Sequence, residues 1–337
     1  MTVHTLDTSF QYPAPDMKKI KESRDALNYK IRTLSNIYLP VLGEQLNSLQ
    51  EEINSTDQQA LSTLTLIPAV LPLEEIQYFH SAIENLKPGT PTPEQQEAID
   101  SFYKEIKTLI EDGTSETLNL STALNNNLTN LKAVTLSDNQ YRIKELETSI
   151  SNATPYIEEE KSAIAELLND ESELNEAIKL IEATDTFSLI KEFFLTAEKL
   201  ADLNLSAPQL QLVKAGISAA SKLLNLISDR IKYDDLIQAR SGIQKRLDER
   251  RRNLDRIKQD IKILQDQKNQ LEEFQSVQTP RDSYTQELSV IADAINKFLE
   301  LTEHHESDDL ESVVKRFIEQ SDIFMKHMKS LREKWKS

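Results

Sequence analysis

Apolar residues recur every 3.5 positions along two stretches of this chain, and the stretches mirror one another. Ile143, Leu146, Ile150, Ala153, Ile157, Ile164, Leu167, Leu174, Ile178 and Ile181 fall on heptad a and d positions; so do Tyr233, Leu236, Ile243, Leu247, Leu254, Ile257, Ile261, Leu264 and Leu271. Such a seam lies along one helix face and has to be buried against another helix. Reflection through Ala207-Pro208 superimposes the arms 143–181 and 233–271, which predicts an antiparallel pair with its turn near residue 207.

Charge selects the same register. Between Glu158 and Glu176 stand eight acids and one base, Lys161, and the mirrored stretch 238–256 holds seven bases and three acids. Opposed blocks favour antiparallel pairing. Two seam exceptions also match, since Glu160 and Glu171 fall within about a turn of Arg250 and Arg240. A buried charge costs several kcal/mol unless paired, so these four read as a device that fixes the register.

Between the arms, residues 182–232 carry six acids and six bases and are richer in apolar side chains. Phe187, Ile190, Phe194, Ala197 and Ala201 share one helical face, widened by Leu189, Phe193, Leu200 and Leu203, with Leu205 before the turn. Beyond it, Leu210, Val213, Ile217, Ala220, Leu224, Ile227 and Ile231 repeat at helical spacing, and Leu212, Ala219, Leu223 and Leu226 broaden the stripe. A sector this wide exceeds what a two-helix seam buries. The pattern predicts two tip helices of about 24 residues, roughly 36 Å each, against roughly 30 Å of bilayer hydrocarbon. Lys191, Glu192, Glu198, Lys199, Asp202, Lys214 and Lys222 interrupt both, which excludes an ordinary single transmembrane helix. An amphipathic helix can still span lipid when its polar face lines water inside an oligomer. Closing the core of a soluble bundle is the other use of this pattern, and periodicity does not separate the two. Nor does the small-residue stretch Ala215 to Ser221, which permits close helix approach in either setting.

The flanks add helices. One run extends from about Asp16 to Ser55 with a bend expected at Pro40, and an apolar, proline-broken stretch from Ala60 to Gly89 reads as a helical cap. Thr92-Pro93-Glu94-Gln95 is a helix start with Thr92 at N-cap and Gln95 at N3. The helix it opens weakens at Gly113 and Asn125 to Asn127 and feeds the first arm, where Pro155 is expected to kink it. Helices at about 281–302 and 309–335 complete the chain. Five glycines in 337 residues leave little room for anything but long helices.

Composition narrows the function. A net charge of -17 opposes nucleic-acid binding, and the basic run Lys245 to Lys258 faces its acidic mirror. Without cysteine there is no disulfide, cysteine nucleophile or thiolate metal site. Met1 to Asp16 has neither a basic n-region nor an apolar h-region, so no signal peptide is visible. His304-His305 beside Glu303 and Glu306 precede the polar break Ser307-Asp308-Asp309 and read as a solvated turn rather than a metal site. His327 and Trp335 have no matching acid or nucleophile, and no phosphate loop, GxGxxG or HExxH motif occurs. An enzyme is not expected, nor a cofactor or metal.

Coiled-coil arms flanking a central amphipathic hairpin, with a helical bundle beyond them, resemble the plan of the cytolysin A-like alpha pore-forming toxins. Within these, length, lack of cysteine and the mid-chain hairpin resemble the B component of binary alpha-xenorhabdolysin-type cytotoxins. The resemblance implies an elongated all-α fold with a bundle tail at 1–135 and 280–337, an antiparallel coiled-coil neck at 136–185 and 232–279, and a membrane-inserting hairpin head at 186–231. It further implies a secreted protein, monomeric when alone, that assembles with a homologous A subunit on host cell membrane lipid into a hetero-oligomeric ring-shaped pore. Charges at Glu198, Lys199 and Asp202 make this hairpin more polar than in some relatives. A soluble coiled-coil scaffold or adaptor, docking a protein through the same tip, is the rival expectation.

Overall fold

A computed structural model of the chain describes residues 11–305 and 309–336, with the side chains of Leu189 and Lys336 left out. The chain divides into two compact units, Met1–Asn139 with Gln270–Ser337, and Gln140–Asn269. Among the described residues both are helical, without a strand.

In the first unit, α1 (Met17–Thr33) starts where the Asp16 side chain accepts hydrogen bonds from the Lys18 and Lys19 amides at 3.0 and 3.1 Å. The helix expected to run on to Ser55 with a bend at Pro40 is two helices. The chain leaves helix at Leu34, and Pro40 is the first residue of α2 (Pro40–Val70), where its missing N–H costs nothing. α2 then continues through the stretch expected to be a cap, burying Ala60, Leu64 and Ile67 in the core. Leu71-Pro72 leads into α3 (Leu73–Leu86).

Thr92 caps α4 (Pro93–Ala133) through the expected capping box: its hydroxyl accepts from the Gln95 amide, and Gln95 Oε1 accepts from the Thr92 amide. α4 does not weaken at Gly113, which lies buried under Pro72; a Cβ there would sit 2.9 Å from Pro72 Cδ. The helix passes unbroken through Asn125 to Asn127, with Ser55 Oγ donating to Asn127 Oδ1 at 2.6 Å. It ends at Ala133 instead of feeding the first arm. The following loop is held by Arg281 Nη1 donating to the Val134 carbonyl at 2.6 Å and Gln275 Nε2 to that of Ser137 at 2.7 Å.

In the second unit, α5 (Gln140–Glu182) and α9 (Tyr233–Gln275) carry the two heptad arms, and Pro155 lies within an unbroken α5. Their cross-links obey the mirror. Arg250 Nη1 and Asn253 Nδ2 donate to Glu160 Oε1 at 2.9 and 2.6 Å, Gln244 Nε2 donates to Glu171 Oε1 at 3.1 Å, and Lys268 Nζ lies 3.0 Å from Glu147. Seam residues such as Ile150, Ile157, Leu254 and Ile261 are half-buried, because two helices shield only the line between them. Leu174, Ile178 and Ile181 on α5, with Leu236, Ile243 and Leu247 on α9, are fully buried because further chain packs on them there.

That further chain is not the symmetric pair of tip helices expected from periodicity. The first is broken into α6 (Phe187–Ile190) and α7 (Ala197–Ala201), linked by an extended stretch that forms an isolated antiparallel bridge between Phe194 and Lys232. The second, α8 (Ala207–Leu224), ends seven residues before Ile231 and lies against α5, with Lys222 3.7 Å from Asp170. In the first unit, α10 (Gln278–Thr302) and α11 (Leu310–Lys336) complete the bundle, where Phe298 and Phe324 stack at 4.3 Å.

Candidate functional site

The apolar residues picked out between the arms assemble as one folded cluster at the end of α5 and the start of α9. At its base Tyr233 donates a hydrogen bond to Glu182 Oε1, and the Phe187 ring meets Tyr233 edge-on at 5.0 Å. Burial, reinforced by Glu182, pushes the Tyr233 phenol up to about 12.

Ile190 and Leu200 reach the interior from the two short helices, Leu203 follows them, and Val213 and Ile217 enter from α8; all five are at most 5% exposed. Thr196 caps α7 by accepting from the Lys199 amide, and the Leu195 amide donates to the Ile231 carbonyl at 2.7 Å, tying the first half of the segment to its end. Phe187, Leu205, Leu210, Leu223 and Leu224 pack half-buried around this cluster. Phe193 and Phe194 remain 52% and 45% exposed, each beneath a lysine: Lys199 Nζ lies 5.3 Å from the Phe193 ring and Lys232 Nζ 5.2 Å from that of Phe194. Leu212 is exposed as well. The Leu189 side chain lies outside the described residues.

α8 docks through an unusually close approach. A Cβ on Gly216 would stand 2.3 Å from Ala177 Cβ and 2.8 Å from the Glu173 carbonyl oxygen, so only glycine lets the two backbones meet. Sequence reasoning noted the small residues around Gly216 without giving them a task, and it missed Leu195, which falls off the apolar face of a continuous helix. The visible signal was Ile231, whose backbone holds Leu195.

The four charges on the arms separate. Glu160 is buried and bound by Arg250 and Asn253, whereas Glu171 accepts from Gln244; Arg240 is half-buried one turn away and, among the described residues, forms no ion pair with Glu171. Of the histidines, His327 is half-buried in the first unit beside Tyr12, and this partial burial lowers its pKa. His304 borders a shallow cleft with Glu111, Glu300 and Glu303; Glu306, Ser307 and Asp308 lie outside the described residues. Among the described residues no group of His, Cys, Asp and Glu is arranged to hold a metal, and no helix is long and apolar enough to cross a membrane.

No family model and no curated protein matches the sequence. Solved structures do match. PaxB from Photorhabdus luminescens superimposes with a TM-score of 0.79 at 17% identity, covering 97% of this chain and 99% of that one. XaxB from Xenorhabdus nematophila gives 0.77 at 15%, covering 95% and 100%. A chain of the XaxAB pore complex from Xenorhabdus nematophila gives 0.64 at 16%, covering 96% and 97%. The resemblance to the B component of the alpha-xenorhabdolysin-type toxins therefore holds for the fold, over nearly the whole chain: this is an all-α protein built like PaxB and XaxB.

Proposed function

We propose that this chain is a secreted, non-enzymatic subunit of a two-part pore-forming toxin, which joins a homologous second component on a target membrane and inserts residues 186–231. In this reading α5 and α9 form the neck behind that segment, and the first unit is the tail. The observation that carries it is the state of the segment itself. It is apolar enough for two amphipathic helices, yet it is broken into short pieces that bury its large side chains against α5 and α9. Each such side chain gains about 1.5–3 kcal/mol by leaving water, so the folded head conceals what lipid and neighbouring subunits would otherwise cover. Likeness to a chain of a pore complex supports the same reading.

A disulfide tests it. Phe194 and Lys232 are paired across the antiparallel bridge, a geometry that brings Cα atoms within disulfide range, and the chain has no cysteine of its own. The double variant Phe194→Cys, Lys232→Cys, mixed with the second component and dye-loaded neutral liposomes, is expected to release dye when reduced and to be silent when oxidised. Equal release in both states would remove residues 186–231 from the mechanism.

A further inference from the structure

α8 carries a polar stripe that its packing does not use. Gln211, Lys214, Ser218, Ser221 and Asn225 recur at spacings of 3, 4, 3 and 4, Lys222 lies beside them, and every other residue from Leu210 to Leu224 is apolar. The stripe is therefore one narrow face of a helix whose remaining circumference is hydrophobic. In the folded second unit that face looks outward: Gln211, Lys214, Ser218, Lys222 and Asn225 are exposed, whereas Val213, Gly216, Ile217 and Ala220 are buried.

The charge on this face has one sign. From Leu203 to Ser228 the chain holds no acid, its longest acid-free run in a sequence with 56 acids among 337 residues, and the ionised groups within that run are Lys214 and Lys222. Lys222 lies 3.7 Å from Asp170 on α5, whereas Lys214 has, among the described residues, no carboxylate partner. The first half of the segment is balanced instead: Lys191 and Lys199 stand with Glu192, Glu198 and Asp202, and Lys199 Nζ lies 3.5 Å from Asp202. Depth singles out Lys214. It follows the first residue of α8 by about 10 Å and precedes the last by about 15 Å along the axis. From a lipid-facing position its stem could not carry the ammonium to a headgroup at either end, so in a membrane this face has to meet water.

We infer that the Lys214 face of α8 lines the water path of the pore and makes that pore prefer anions, with Lys214 as the residue that sets the preference. This rests on the reading of residues 186–231 as the inserting segment, but its readout is the sign of the selectivity, not leakage. In a ring of copies each α8 contributes one Lys214 at the same depth. Ammonium groups ringed between low-dielectric walls concentrate anions and repel cations. Gln211, Ser218 and Ser221 bind water without carrying charge, so nothing else on the stripe offsets the lysine. The net charge of -17 would favour cations, but those acids lie elsewhere in the chain, and an ion crossing the bilayer responds to the groups beside it.

The test measures reversal potentials under a KCl gradient in planar phosphatidylcholine bilayers, with the full chain and the second component. The unaltered pore is expected to pass chloride more readily than potassium. Lys214→Gln should lose that preference, Lys214→Glu invert it, Lys222→Gln reduce it, and Glu198→Gln leave it in place. Because the chain has no cysteine, Lys214→Cys allows the charge to be restored after assembly. A cationic methanethiosulfonate reagent added to open pores should bring chloride preference back and an anionic one reverse it, while Leu212→Cys, on the apolar side, stays unmodified. Potassium preference in the unaltered pore, or a reversal potential unmoved by Lys214→Gln and by both reagents at Lys214→Cys, overturns the inference and leaves pore formation standing. If Lys214 variants do not assemble, Lys222→Gln decides in their place, an unchanged reversal potential there overturning the inference. No conductance even from the unaltered chain overturns pore formation and the inference with it.

Discussion

Two residues illustrate how single side chains, or their absence, determine the second unit. At Gly216, helix propensity and packing oppose each other. Alanine gains about 1 kcal/mol as a helix former, but its Cβ would collide with Ala177 and with the Glu173 backbone oxygen, which cannot swing away. Overpacking of this kind costs about 1–3 kcal/mol, so Gly216→Ala is expected to destabilise the docking of α8, lowering amide protection along α8 and the melting temperature. Ala177→Gly in the same chain should restore part of the loss. At Glu160 the asymmetry is between partners. Its carboxylate is buried while Arg250 is half in solvent, so Arg250→Ala strands a charge held only by Asn253, whereas Glu160→Leu removes that charge and extends the seam. Urea denaturation should therefore find Arg250→Ala destabilised by about 1–3 kcal/mol and Glu160→Leu close to neutral or more stable. The reverse order would mean that the ion pair itself is worth more than the desolvation it requires.

At the scale of elements, legibility follows the range of the forces involved. Helix starts are local, so Asp16 and Thr92 and their caps could be read from a few neighbours. The pairing of α5 with α9 is long-range in sequence but repeated over many heptads, and a single mirror carries it; Glu160 with Arg250 and Glu171 with Gln244 obey that mirror. Residues 186–231 broke the symmetry for a reason that periodicity does not contain. Two amphipathic helices extended beyond the arms would leave their outer apolar flanks in water, whereas α8 folded onto α5, with Leu195 and Ile231 tying the rest over it, buries them. Likewise Gly113 looked like a helix weakness in one dimension and is a contact with Pro72 in three. The segment whose fold was least legible is residues 186–231, where the helical period of the sequence and the observed backbone disagree.

Across the whole molecule, the acidic balance of -17 suggests a protein indifferent to mild acid until its carboxylates protonate together, but specific ties set where that begins. In the first unit Glu273 is held low by Lys30, and Glu287 by Lys19 and the Asp16 amide. Glu311 is held down to about 2 by Lys315 and by Lys87, whose ammonium joins α3 to α11. A carboxylate with a depressed folded-state pKa adds stability in full above its ordinary value, near 4.5 for Glu311, and loses it as pH falls toward the folded value, near 2. His327 acts in the same direction at higher pH: burial favours its neutral form, so protonation below its ordinary value of 6.5 weakens the unit. The chain has one tryptophan, Trp335 on α11, with Arg24 of α1 5.7 Å from its ring, so its emission reports on this unit. Acid titration followed by Trp335 fluorescence is expected to show two steps of weakening under mild urea. The first lies below about pH 6.5 and is lost in His327→Gln; the second lies between about pH 4.5 and 2 and is shallower in Glu311→Gln, which starts from lower stability at neutral pH. If Glu311→Gln leaves the slope of the second step unchanged, Lys87 and Lys315 do not hold that carboxylate in solution, and the link from α3 to α11 contributes nothing to acid resistance.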